Sequence, residues 1–523
     1  MAKYTHTRRS VLALTGAALA GAGAAALTAC TSSRSAQDLT DDAAPAPGTG
    51  FVSPDGPEVA AAERGRATNG TVREVRLTAV EGPVDIGGGR SVRTWSYGGE
   101  VPGREIRLTA GDTLAATLTN HLPATTSAHW HGLAIRNDMD GVPDLTQPPI
   151  GAGAEYAYRF AVERPGTYWF HPHTGVQLDR GLYAPLIVAD PREPMPYDKE
   201  WTVVLDDWLD GIDGSTPDSV MAELMGEATG GATGGATGGP AAGPSRMLDD
   251  ANSVLLRGDA GHVAYPLYLI NGRTPDDPSV FAARPGDRIR IRFINVGGDS
   301  PFRVALGGHR MTVTHTDGFP VAHADTDALL IGMGERYDVL VTAGDGVFPL
   351  TALAEGKDAT ALAVLRTSPG GAVPAAGTRP AELGGSLVTA DQLRADESVR
   401  LPDPARTPDR TIHLTLTGSM EAHDWAFNRQ PYDHHHSAPH AVRAGERVRI
   451  EFANHTRMWH PVHLHGHTFA LGRDGARKDT TGVLPGESLS VDLDADNPGL
   501  WMLHCHNLYH SEAGMMTVLG YQA

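Results

Sequence analysis

At three places a glycine followed by an acid opens a stretch that an asparagine closes nine residues after the glycine. These are Gly111-Asp112 to Asn120, Gly286-Asp287 to Asn295, and Gly445-Glu446 to Asn454. Between them apolar residues alternate, as in Ile289, Ile291, Phe293 and again in Val448, Ile450, Phe452, the period of a half-buried strand. The repeats lie too far apart for a solenoid and suit one β-sandwich each. With 62 glycines and 37 prolines to supply tight turns, the chain reads as all-β with three homologous domains. We place these at 71–200, 201–370 and 411–523, with a Pro/Ala/Gly-rich linker at 371–410.

The repeats put the histidines in register. His129 and His131 follow Asn120 at the offset at which His463 and His465 follow Asn454; the same offset in the second domain gives Val304 and Leu306. A second landmark, Pro-Gly, precedes His171-Pro172-His173 and His504-Cys505-His506 with identical spacing, and its counterpart after Gly346 leads to Thr351 and Leu353. Four His-x-His pairs therefore occupy matched strands of domains one and three, each pair on one strand face. Eight imidazoles converging across a domain interface repel one another if protonated and lack partners if dry, unless metal ions hold them.

Between the last pair stands Cys505, pointing to the opposite face, with His510 and Met515 close behind it and His460 shortly before His463. Two imidazoles, a thiolate and a weak axial thioether are the ligands of a blue copper ion. The matched positions of domain one hold Thr126, Pro172, Gln177 and Leu182, so this site belongs to domain three alone.

The runs His129-Trp130-His131-Gly132, His171-Pro172-His173, His460-Pro461-Val462-His463-Leu464-His465-Gly466 and His504-Cys505-His506-Asn507-Leu508-Tyr509-His510 closely resemble the multicopper oxidases. That resemblance implies three consecutive cupredoxin-like Greek-key β-sandwiches and four copper ions. One would be a type 1 ion on His460, Cys505, His510 and Met515. One would be a type 2 ion on His129 and His463. The type 3 pair would lie on His131, His171, His173, His465, His504 and His506. It also implies that a donor's electrons pass through Cys505 and its histidine neighbours to dioxygen, which is reduced to water.

Dioxygen reduction consumes protons, so an acid near the cluster is expected. Asp140 lies where related bacterial oxidases carry a proton-delivering Asp; its other reading is a turn residue before Gly141. The second such position holds Ser511, with Glu512 next. The donor is expected to be Cu(I), with phenols next, because the axial Met515 suits a moderate potential. Met458 stands two residues before His460, where cuprous oxidases can carry a substrate-binding Met. Core packing is its alternative, and Thr456 replaces the acid expected beside it. Met221 and Met225 on a helix from near Asp218, and His434-His435-His436, are further candidates for collecting copper, against packing and an exposed loop respectively.

Near the N-terminus Thr7-Arg8-Arg9-Ser10, a weakly apolar run and Leu27-Thr28-Ala29-Cys30 look like a twin-arginine signal ending in a lipobox. The expectation is a signal at 1–29, export, a lipid on Cys30 holding the chain to the outer face of the cell membrane, and a flexible tether at 30–70. A net charge of −19 argues against nucleic acid. The resemblance to exported copper-resistance oxidases comes first, to laccases next; a copper-sequestering lipoprotein without turnover is the reading of a different class.

Overall fold

A computed structural model describes residues 50–226, 243–248, 251–434 and 436–523. Each domain is built around one parallel pair that joins its first strand to its repeat strand. Val72–Gly87 runs beside Thr113–Asn120, Lys199–Trp208 beside Arg288–Asn295, and Arg410–Thr417 beside Arg447–Asn454. The thrice-repeated asparagine ends the second strand of each pair for a physical reason. Asn454 is fully buried, accepts the Thr456 amide at 2.9 Å and donates to the carbonyls of Met458 (2.8 Å) and Val483 (2.9 Å). Asn120 and Asn295 repeat the arrangement at their own strand ends. A side-chain amide alone offers both a donor pair and an acceptor at that spot.

The sandwiches close face to face, as expected. In domain one a four-stranded sheet packs on a three-stranded one over Leu114, Leu118, Trp130, Phe160 and Phe170. Domain two pairs two six-stranded sheets. Domain three sets a six-stranded sheet against a five-stranded one, whose central strands are Leu500–Cys505 and His460–Leu464.

Two expectations need correction. Residues 50–70 are not a free tether: a helix spans Pro57–Gly65, Val52 and Val59 are buried, and the Val52 amide donates to the Tyr521 carbonyl at 2.8 Å. Apolar side chains with a place to pack, and Arg66 bound to Glu163 and Asn497, hold this segment down. The 371–410 connection also packs: Leu383, Leu393 and Leu401 are buried and Leu387–Val388 adds an edge strand to domain two. The expected signal and Cys30 lie outside the described residues, as does most of the Gly-rich loop.

Candidate metal centre

Strands His460–Leu464 and Leu500–Cys505 pair antiparallel, with Val462 opposite Cys505 and His463 opposite His504. Because faces alternate, one strand pair serves two sites: the thiol on one side, the imidazoles on the other. Domain one makes the same contact, with His129 and His171 exchanging both backbone hydrogen bonds at 2.7 and 3.1 Å.

On the thiol side, Cys505 Sγ lies 3.6 Å from His460 Nδ1 and 3.7 Å from His510 Nδ1. The two nitrogens are 3.1 Å apart. A trigonal ion with bonds of about 2.1 Å places its ligand atoms about 3.6 Å apart, so these atoms fit around one copper. Burial pushes the Cys505 thiol well above its usual range, and a coordinating metal is what makes a buried thiolate. Thr456 Oγ1 sits 2.8 Å from His460 Nε2, which leaves Nδ1 for the ion. Met515 is fully buried, and its carbonyl accepts the Cys505 amide at 3.0 Å. Trp425 stacks on His510 at 4.2 Å, and His262 of domain two lies 5.2 Å from the same ring.

On the other side the eight histidines converge. The six assigned to the type 3 pair divide into two triads, His131, His171, His506 and His173, His465, His504, while His129 and His463 approach each other beside the first. Each of the eight has a buried ring nitrogen without a partner in the protein. Each such atom costs about 1–3 kcal/mol if left unmatched, so the donor set fits a cluster of metal ions. Burial, then the charge of neighbouring imidazoles, holds His171, His173, His465 and His506 well below the ordinary histidine range. Neutral rings with free lone pairs are what copper binds.

The outer contacts choose the nitrogen. His129, His171, His463 and His504 direct Nδ1 at the carbonyls of Asp140, Pro172, Asp479 and Cys505, at 2.9 to 3.0 Å. A carbonyl only accepts, so the proton lies on Nδ1 and Nε2 faces the cluster. His131 is reversed: its Nε2 is 3.2 Å from both Thr480 Oγ1 and Asp479 Oδ1, and its Nδ1 is the free atom.

Asp140, in domain one, is buried with one carboxylate oxygen 3.2 Å from His129 Nδ1 and the other 2.9 Å from His465 Nδ1. Glu512 is half-buried at a narrow cavity shared with Ser511 and with His171, His173, His504 and His506, and burial pushes its carboxyl up to about 7. Met458 is fully buried in the domain-three core. Met221 packs on the domain-two core and Met225 caps the helix end, 44% exposed, so the two do not act as one face. His434 and His436 are exposed, and His435 lies outside the described residues.

The sequence reading missed Asp479 and Thr480 beside His463, Arg336 from domain two, and His262, His423 and Trp425 around His510. A faint signal existed in charged residues set into apolar strands, such as Arg336 and Asp338 in Arg336–Thr342. The loop between the two centres is pinned from outside: Tyr509 donates to Asp179 at 2.6 Å and Asn507 to Asp299 at 2.6 Å.

Three cupredoxin sandwiches carrying a thiolate centre one residue from an eight-imidazole centre define a copper-binding redox protein. Multicopper oxidase family models match residues 78–193, 249–370 and 405–522, and the chain belongs to the multicopper oxidases, copper-dependent oxidoreductases. It is 48% identical over 465 residues to multicopper oxidase MmcO of Mycobacterium tuberculosis, covering 88% of this chain and 89% of that one. It is 31% identical to a copper resistance protein A homolog of Pseudomonas syringae pv. tomato, with 84% and 91% covered. A solved multi-copper oxidase from Pseudomonas thermotolerans superposes with a TM-score of 0.62 at 26% identity, covering 86% of this chain and 99% of that one.

Proposed function

We propose that this oxidase takes electrons one at a time from Cu(I), with phenolic donors as secondary substrates, and reduces dioxygen to water using four copper ions. One ion would sit on His460, Cys505, His510 and Met515, one on His129 and His463, and one on each histidine triad. Bound copper would supply the redox chemistry; the chain supplies position, protons and exclusion of water. The observation that carries the choice of donor is that His460, Cys505 and His510 are fully buried. Burial leaves a bulky phenol no open ligand edge to stack on. Met458 is equally buried, so the preference for Cu(I) is drawn from the relatives named copper resistance protein A, and the Met458 thioether, two residues from His460, is the soft group to test.

Met458→Leu keeps apolar volume and removes the soft ligand. Oxygen uptake at equal copper loading is expected to show kcat/KM for Cu(I) falling roughly tenfold more than for a phenolic donor, the effect of about 1.4 kcal/mol in the transition state. Equal losses would return phenol oxidation to first place. No uptake by wild type with either donor would leave a sequestering protein.

Asp140 and Glu512 are proposed as the proton donors to the cluster. Asp140 bridges ligands from two domains, and Glu512 faces the cavity along the triads. With its carboxyl raised to about 7, Glu512 keeps a proton at acidic pH and loses it as pH rises through about 7. Turnover limited by oxygen reduction should therefore decline through that range in wild type. In Glu512→Gln it should be lower at acidic pH and lack that inflection; an unchanged profile would remove Glu512 from the route.

The twin-arginine and lipobox pattern supports export and a lipid anchor on Cys30 at the outer face of the cell membrane.

A further inference from the structure

Among the described residues domain two supplies none of the proposed copper ligands, yet its segment Gly332 to Arg336 reaches the cluster. A Cβ on Gly334 would stand 2.8 Å from His506 Cδ2 and 3.1 Å from His131 Cε1. Two residues on, Arg336 is fully buried and sets its guanidinium fork on the Asp479 carboxylate of domain three at 2.6 and 2.7 Å. Its Nε donates to the Thr167 carbonyl of domain one at 3.0 Å, so one side chain ties all three domains together. Gly132, directly after His131, has no side chain because a Cβ there would lie 2.3 Å from the Arg336 Nη2.

Asp479 is the group that the cluster feels. Its Oδ1 lies 3.2 Å from His131 Nε2 and 3.4 Å from His463 Nδ1, and it accepts the Thr480 hydroxyl at 2.8 Å. Thr480 Oγ1, with its proton given to Asp479, faces the same two ring nitrogens at 3.2 and 3.1 Å. Domain two holds this dipeptide a second time: Asp317 Oδ2 accepts the amides of Asp479 (3.1 Å) and Thr480 (3.2 Å) and pairs with Lys478 at 3.1 Å.

We propose that Arg336 is a positioning residue of the copper cluster. By holding the Asp479 carboxylate aimed with its guanidinium fork, it fixes the proton of His131 on Nε2 and adds to the hold of the Asp479 carbonyl on His463 Nδ1. The opposite nitrogens are thereby left to copper, and cluster assembly depends on the docking of domain two. The proposal rests on the reading that the eight histidines hold copper.

The test compares wild type, Arg336→Met, Arg336→Lys, Asp479→Asn and the Arg336→Met/Asp479→Asn double variant. Copper per chain, the type 2 electron paramagnetic resonance signal and the blue absorption band are measured in each. Arg336→Met should keep the blue band, lose or reshape the type 2 signal, and bind cluster copper roughly 10–100-fold more weakly, as changes behind metal-bound imidazoles do. Arg336→Lys keeps the charge but loses the fork and should fall between. The double variant should recover part of the loss, because Asn keeps an accepting oxygen and no unpaired buried charge remains. An unaltered type 2 signal and copper affinity in Arg336→Met, with only a lower Tm, would reduce Arg336 to interdomain glue. If Arg336→Met loses the blue band as well, Asp479→Asn decides: a changed type 2 signal beside an intact blue band supports the proposal, and an unchanged one overturns it. Wild-type protein without copper on the histidines would instead defeat the reading of the site.

Discussion

Cys505→Ser should abolish the blue absorption band and bring oxidation of both Cu(I) and phenols to background, while the protein binds one copper ion fewer than wild type. The sulfur is the only thiol among the described residues and stands 3.6 and 3.7 Å from the two imidazole nitrogens of its site. A serine hydroxyl neither ionises there nor offers the soft ligation that gives a blue centre its colour. Its own peptide links it to His504 on one side and His506 on the other, one in each triad, so in the proposed function the same atom would be the electron entry to both. The eight cluster histidines take their positions from strand pairing and outer hydrogen bonds that do not involve the sulfur. Copper analysis with electron paramagnetic resonance should therefore show the cluster retained. A variant that remains blue and active would overturn the assignment of the site; one that loses all its copper would show that the two centres assemble together.

Gly141→Ala should yield little folded protein, with a stability loss above about 4 kcal/mol. Gly141 has φ of +84°, and a Cβ there would stand 1.9 Å from the Ala128 carbonyl oxygen and 2.7 Å from the His129 amide. These are backbone atoms of the segment, bridged to His171, that presents the first cluster ligand, so relief requires moving His129 itself. Gly153→Ala is the matched control: φ is +77° and nothing lies within 4 Å. It should cost only the left-handed penalty of about 1–2 kcal/mol. Urea unfolding of the two variants separates clash from backbone strain; equal losses would mean that the close approach at Ala128 relaxes freely.

The twelve expected copper ligands were legible because their pattern is local and repeated. Strand alternation puts His504 and His506 on one face and Cys505 on the other, and the Gly-to-Asn repeat locates the matched pairs in domain one and their absence in domain two. The expectation of a loose segment at 50–70 failed for a different reason. Its composition says nothing of Val52 and Val59 finding a groove, which depends on the surface laid down by domains one and three. Met221 and Met225 show the same limit. Helical spacing suggested a shared face, but the helix ends at Leu224 and only Met221 meets the core.

The sequence by itself determined the three-domain β architecture, the expected set of copper ligands and its expected blue site in domain three, since each follows from short-range spacing on strands of period two. Tertiary structure alone decided how six histidines divide into two triads and which ring nitrogen His129, His131, His171, His463 and His504 present. It also decided that Asp140 reaches His465 across 325 residues and that Arg336 reaches Asp479 across 143. Such pairs leave no periodic trace. A buried charge takes whatever partner the packed domains bring to it, and the energy of leaving it unpaired, rather than any local propensity, selects the contact.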